Sequence, residues 1–266
     1  MTSAPIPNPN KSLAESARSA HVQEPDGRQP LARGEVAIWW MVTDQIGPKD
    51  LRRWFQMLDE HERQRSTAFH FETDRRDFIA AHALLRSMLT CYGNLPVHSW
   101  RFLSDANGKP IINPKLGCDE LLFSLSHTRG LVAVAVASRG VIGIDVERMD
   151  PAKTDPGVAE EYFAPTELRM LQGAPPTERT ACFFRLWTLK EAYIKAIGTG
   201  LSASLKSFAF AFDPIRIDFG QVKSNHLHWQ FECWPPTDQH VLSVAIGRAE
   251  SEVVSKTLRA IAPQSL

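Results

Sequence analysis

Leu131–Glu147 reads LVAVAVASRGVIGIDVE, and the fold class turns on this stretch. Leu131–Ala137 is an unbroken apolar run of only seven residues, against the roughly 18 needed to span a bilayer. Its β-branched residues and the Ser138-Arg139-Gly140 punctuation that follows mark a buried strand. In Val141–Glu147 the apolar Ile142, Ile144 and Val146 alternate with Gly143, Asp145 and Glu147, the period of a strand with one face in a core. A short connection containing glycine predicts that these two strands form a hairpin.

Working upstream, His98–Leu103 and Glu120–Leu125 read as strands. Before them, Asp50–His61 and Arg75–Tyr92 carry helical spacing. In the second, Phe78, Ala81, Leu85, Met88 and Leu89 recur every three or four positions, with Gly93 as the stop. Order is expected to begin at the strand Val36–Val42. Residues 1–34, with five prolines and no sustained periodicity, are expected to be a disordered extension.

Downstream, Asp150–Gly157 has two prolines and a glycine in eight residues and reads as a linker. Helices over about 158–172 and 177–197 follow, then strands Ser207–Phe212, His228–Trp234 and His240–Ile246. Helices followed by strands, twice over, favour α+β rather than a parallel α/β sheet. The expected units are the extension 1–34, a lobe 35–150, a second lobe 151–247 and a tail 248–266.

Thirty basic residues balance thirty acidic ones, so there is no broad positive field for non-specific nucleic-acid binding. The N-terminus has no apolar secretory block. Cys91, Cys118, Cys182 and Cys233 have neither zinc spacing nor a C-x-x-C pair, the usage of a reduced, cytoplasmic protein. No Walker loop or dinucleotide fingerprint is present, so phosphate would have to be handled by side chains and metal.

Four short stretches are candidates for chemistry. In GIDVE, Asp145 and Glu147 share one strand face about 6.6 Å apart, and repel unless solvated or bridged by a cation such as Mg²⁺. The same pair would also suit a plain solvated face. In LWTLKEAYIKAIG (186–198), Leu186, Leu189, Tyr193 and Ile197 make the core stripe. Glu191 and Lys195 sit i, i+4 on another face, with Lys190 alongside. Read blandly, that is one exposed ion pair worth about 0.2–0.5 kcal/mol. FSLSHT (123–128) places Ser126 and His127 at the end of a strand. Neighbours on a strand face opposite ways, and no G-x-S-x-G elbow is present, which argues against a serine nucleophile. NGKP (107–110) holds Lys109 outward on a turn, either simply solvated or as a point charge for phosphate.

Taken together and in order, NGKP, FSLSHT, GIDVE and WTLKEAYIK resemble the motifs of the Sfp-type 4′-phosphopantetheinyl transferases over about residues 35–247. The resemblance implies an α+β pseudo-dimer of two similar lobes, each with helices on a small, mainly antiparallel sheet, and coenzyme A in the cleft between them. It implies transfer of 4′-phosphopantetheine to a serine of an apo acyl or peptidyl carrier protein, with release of adenosine 3′,5′-bisphosphate. Asp145, Glu147 and Glu191 would hold Mg²⁺. Lys190 and Lys195 would neutralise phosphate, and Lys109, Ser126 and His127 would meet the nucleotide end. Glu191 and Lys195 are the catalytic candidates, with Glu191 as base or metal ligand. An arginine for the 3′-phosphate is expected near Arg75-Arg76-Asp77, with Arg76 the choice and Asp77 the competing register. Thr188 stands where the family usually has Ser or Ala. The protein is expected to work as a monomer, without membrane or nucleic acid. A Mg²⁺-dependent phosphohydrolase and a non-catalytic coenzyme A-binding module are the alternatives.

Overall fold

The computed structural model describes residues 31–32, 34–200, 204–220, 226–249 and 254–266. Most of the extension expected at 1–34 lies outside these residues. Leu31 packs on the first core, and the Gly34 amide donates to Ser138 Oγ at 3.1 Å.

The first lobe opens with β1 (Val36–Val42) and continues through α1 (Pro48–Met57), α2 (Glu60–Thr67) and α3 (Glu72–Tyr92). Next come the short β2 (Phe102–Ser104) and β3 (Pro110–Ile112), then β4 (Leu122–Thr128) and β5 (Leu131–Ala137). The second runs β6 (Val141–Arg148), α4 (Pro156–Tyr162), α5 (Pro165–Gly173), α6 (Arg179–Ile197), β7 (Ala209–Ala211), β8 (Arg216–Asp218), β9 (His228–Thr237) and β10 (His240–Arg248). A final strand, β11 (Lys256–Ala260), follows. The sheets run β11-β1-β5-β4 and β6-β10-β9, while β2–β3 and β7–β8 form separate ribbons. In both lobes the opening strand lies beside the last strand, and the last beside the one before it. The protein is an α+β duplication.

Alternation along the strands builds three cores. Ala37, Trp39 and Met41 of β1 and Val132, Val134 and Val136 of β5 face α3. Their neighbours Val36, Ile38, Trp40, Ala133 and Ala135 turn the other way and meet Ile142, Ile144, Val146, Leu242, Val244 and Ile246 of the second sheet. The far side of that sheet packs on α6 through Leu186, Leu189 and Tyr193. Every residue of β5 is buried, which explains its uninterrupted apolar run.

Several expectations are corrected. The hairpin at Ser138-Arg139-Gly140 does not form: β5 pairs with β1 and β4, and β6 pairs with β10. The tight turn lies one connection earlier, at Arg129-Gly130, where Gly130 takes φ +90°. Val141–Arg148 therefore opens the second lobe, and the repeat starts with a strand, ahead of the expected boundary at 150. The expected tail contributes β11, parallel to β1. The helix expected over 50–61 is two helices. Asp59 caps α2, accepting from the Glu62 amide at 2.9 Å while Glu62 accepts from the Asp59 amide at 2.9 Å.

The duplication extends to a buried ion pair in each lobe. Glu62, in the first turn of α2, accepts from Arg86 of α3 at 2.7 Å, and Arg86 also donates to the carbonyls of Val97 and Trp100. Glu167, in the first turn of α5, pairs with Lys190 of α6 at 2.8 Å, and Lys190 also donates to the carbonyls of Leu205 and Phe208. Arg86, Lys190 and Glu167 have no exposed surface. Such charges persist in a core only when paired and hydrogen-bonded throughout.

Candidate functional site

The site forms where the edge strand β4 of one sheet meets the edge strand β6 of the other, with α6 across them. Gly143 permits this: the face of β6 carrying Gly143, Asp145 and Glu147 lies against α6, and no side chain fits at 143. Close backbone approach at Gly143 brings Lys195, one turn from Ala192, over Asp145.

Lys195 Nζ donates to Asp145 Oδ1 at 2.7 Å and to Ser126 Oγ at 2.9 Å, and Ser126 Oγ donates to Asp145 Oδ1 at 2.9 Å. Three residues from β4, β6 and α6 thus share one knot. The other oxygen of Asp145, Oδ2, is buried and has no hydrogen-bond partner among the described residues. A buried carboxylate oxygen left bare is costly unless something positive completes it. Beside it, Glu147 is pushed up to about 7, first by burial and then by the charge of Asp145, against the Thr128 hydrogen bond and Lys153 and Lys195. Glu191 is also raised, by burial and then by Asp145, with Lys195 opposing. Both glutamates feel Asp145, and the site holds surplus negative charge.

Among the described residues, no three His, Cys, Asp or Glu side chains form a ready-made ion site. Asp145 is nonetheless near enough to Glu147 and to Glu191 for its charge to raise both. Each acid has its own environment: Asp145 is held by Lys195 and Ser126, and Glu147 Oε2 by the Thr128 hydroxyl at 3.2 Å. The unpartnered Asp145 Oδ2 and the all-oxygen donors still suit a hard cation that takes one or two carboxylates and completes its shell elsewhere.

A cleft of about 230 Å³ opens next to this knot, bordered by Lys109, Phe123, Glu191, Ile194, Lys195 and Gly198. It brings residues of NGKP, FSLSHT and the α6 motif together; of FSLSHT, Phe123, Ser124 and Leu125 line it. Lys109 Nζ lies 3.4 Å from the Ala196 carbonyl and 3.5 Å from that of Ile142, at the carbonyl end of α6, where a cation is favoured. Burial lowers its pKa, with Asp105 opposing. On the other side of Glu191 a second hollow is lined by Glu161, Tyr162, Ser204 and Leu205.

His127 is the penultimate residue of β4, at the strand end next to the Arg129-Gly130 turn, and it is exposed. Protein packed around the ring lowers its pKa; Asp77 opposes this, while His82, Lys195 and Arg65 add to it. Arg76 does not border the cleft; it is held between Asp44 at 2.9 Å and Asp77 at 3.3 Å. Asp77 is buried and accepts from Thr43 Oγ1 and from the Gly130 amide, so it anchors the β4–β5 turn next to His127. Lys190 is corrected outright: it faces the core on the far side of α6, bonded to Glu167. Thr188 is buried, bonding the Phe184 carbonyl and Ser243 Oγ at 2.8 Å each, and ties α6 to β10.

Sequence reasoning missed Glu167, Thr128 and Ser124. The hydroxyls at 124, 126 and 128 recur with strand period, a signal available in the sequence.

The α+β duplication thus brings carboxylates, a lysine and a serine together at the seam between its lobes, beside a cleft bordered by Lys109 and Lys195. Comparison with known proteins gives the family. The model described as 4′-phosphopantetheinyl transferase, N-terminal, matches residues 45–139, and that of the 4′-phosphopantetheinyl transferase superfamily matches 141–245. The two meet at Gly140, where the second lobe begins. The 4′-phosphopantetheinyl transferase HetI of Nostoc sp. is 35% identical over 184 residues, 69% of this chain and 77% of that protein. Sfp of Bacillus subtilis is 30% identical over 175 residues, 65% of this chain and 75% of its own. The holo-(acyl-carrier-protein) synthase of Bacillus anthracis, solved with CoA (3′,5′-ADP), is 18% identical, with a TM-score of 0.36 over 41% of this chain and 96% of that one. The chain belongs to the 4′-phosphopantetheinyl transferase family.

Proposed function

We propose that this chain transfers 4′-phosphopantetheine from coenzyme A to a serine hydroxyl of an apo acyl or peptidyl carrier protein, with Mg²⁺, releasing adenosine 3′,5′-bisphosphate. The observation that carries the reading is Asp145: one oxygen on Lys195 and Ser126, the other buried and bare beside two carboxylates of raised pKa. Asp145 Oδ2 and Glu147 would hold Mg²⁺, a hard cation suited to oxygen donors. Charge neutralisation on the pyrophosphate and on the departing bisphosphate is the chemistry it would supply there.

The residues of the chain supply the rest. Lys195 and Lys109 border the cleft as point charges for phosphate oxygens. Ser126 holds Lys195 and Asp145 in register. Glu191 borders both hollows, and its raised pKa brings a carboxylate towards the range of a general base. It takes the serine proton as the new O–P bond forms and the bond from phosphorus to the bisphosphate oxygen breaks. His127, exposed on β4, meets the nucleotide end, and Arg76 supports that side of the site through Asp77. We read the chain as a cytoplasmic monomer; no described helix is long and apolar enough to cross a membrane, and none of the four cysteines is in a disulfide.

The test is incubation of the purified chain with coenzyme A, Mg²⁺ and a panel of apo carrier proteins. A mass gain of about 340 Da on a carrier, abolished by a chelator, is expected from this reaction class. No gain on any carrier would overturn the reading. Release of pantetheine phosphate without a carrier would favour a phosphohydrolase, and tight coenzyme A binding without turnover a binding module.

A further inference from the structure

We propose that Thr128 is a positioning residue for Glu147, acting through a ladder of hydroxyls that joins β4 to β6 where no backbone ladder does. The proposal rests on the transferase reading for its consequence and on geometry alone for its existence.

Among the described residues, β6 pairs with β10 on one side only. In an antiparallel pair, alternate residues turn their N–H groups away from the partner, so the far edge of β6 presents a row of donors that must find acceptors. Along β4 the hydroxyls recur at the same interval. The Ile144 amide donates to Ser124 Oγ at 3.0 Å, the Val146 amide to Ser126 Oγ at 3.3 Å, and the Arg148 amide to Thr128 Oγ1 at 3.4 Å. The seam between the lobes is a parallel set of three side-chain rungs.

Two of these hydroxyls do more than accept. Ser126 Oγ accepts from Val146 and donates to Asp145, the residue before it. Thr128 Oγ1 repeats the arrangement: it accepts from Arg148 and donates to Glu147, again the residue before. A hydroxyl has one proton to give, and in both rungs it goes to the carboxylate of the preceding β6 residue. At the third rung that residue is Gly143, which has no side chain. Ser124 therefore closes the seam without orienting an acid; it also borders the cleft, so it is a control for the seam and not for turnover. Thr128 fixes both the strand that carries Glu147 and the direction of its carboxylate.

The experiment compares Thr128→Val, Thr128→Ser and Ser124→Ala in the full chain. It measures amide exchange along β6 and steady-state transfer to a carrier protein. Valine keeps the shape of threonine and removes the hydroxyl. Thr128→Val is expected to speed exchange at Arg148 while β10 stays protected, and to lower kcat about tenfold, the effect of about 1.4 kcal/mol of lost hydrogen bonding to a charged group. KM for coenzyme A should stay within about twofold on the same reasoning. Thr128→Ser should restore both readouts. Ser124→Ala should speed exchange at Ile144 and leave Arg148 protected. Wild-type kcat in Thr128→Val, or an equal loss in Thr128→Ser, would overturn the proposal. A wild-type chain that modifies no carrier would overturn the transferase reading instead, and unchanged exchange at Arg148 in Thr128→Val would then still refute the ladder.

Discussion

A Cβ atom built on Gly143 would stand 1.9 Å from the carbonyl oxygen of Ala192 and 2.5 Å from the amide of Ala196. Strand β6 and helix α6 touch backbone to backbone at this point, and the contact sets how closely Lys195 and Glu191 approach the acids of β6.

Gly143→Ala is therefore expected to push α6 away from β6. Overpacking of this kind costs about 1–3 kcal/mol, and the shift should open the Lys195–Asp145 contact. Thermal unfolding should fall by several degrees, and turnover should drop by more than the stability loss explains. Retained activity in a well-folded Gly143→Ala protein would show that the close approach does not set the site.

Lys190 should behave as a core residue. Lys190→Ala strands Glu167 as a buried unpaired acid, a change expected to cost about 3–5 kcal/mol. At a temperature where the variant is still folded, KM for coenzyme A should be near that of the native chain. A stable Lys190→Ala protein with selectively weakened coenzyme A binding would return Lys190 to the phosphate site.

Glu147 makes stability depend on pH. Its folded-state pKa of about 7 lies above the ordinary carboxylate value of 4.5, so between these values the folded chain holds a proton that the unfolded chain has lost. Stability from this group falls as pH rises through that window and stays lowered above it. His127 and His240, whose pKa values are lowered, act in the opposite direction, so the comparison must be with Glu147→Gln. Without metal, the native chain should lose more stability than Glu147→Gln between pH 5 and pH 8. Mg²⁺ should raise its melting temperature more at pH 8 than at pH 6. Equal Mg²⁺ effects at both pH values would remove Glu147 from the ion site.

His127 is held towards its neutral form in the free chain. A phosphate dianion at the exposed ring would favour the protonated form, so coenzyme A binding should take up protons near neutral pH and weaken above it. Calorimetry in buffers of different ionisation heat measures the uptake directly. It should disappear in His127→Ala; identical uptake in that variant would remove the role.

Much of this was legible in the sequence, and what was not has identifiable causes. The run at 131–137 and the alternation at 141–147 locate β5 and β6, since burial on both faces and on one face leave different patterns. Which strand β6 pairs with leaves no such mark: Ile142, Ile144 and Val146 would serve equally in a hairpin with β5 or opposite it across the third core. The capping residues Asp59 and Glu62 were readable and would have split the first helix. Lys190 and Lys195 lie on the same helix, and only the position of Glu167, set by tertiary packing, distinguishes a buried pair from a site lysine. The strand at Lys256–Ala260 alternates too weakly to stand out, because it is a half-buried edge.

The most direct measurement follows both products in one reaction, comparing the native chain with Asp145→Asn: the mass of the carrier protein and the amount of adenosine 3′,5′-bisphosphate. The native chain should give one bisphosphate for each carrier that gains phosphopantetheine. Asp145→Asn should give neither product while still folding cooperatively. The amide oxygen can accept from Lys195 and Ser126, and the lost ion-pair charge is offset by relieved repulsion with Glu147 and Glu191. Full turnover by Asp145→Asn, or bisphosphate formed by the native chain without carrier modification, would contradict the assignment.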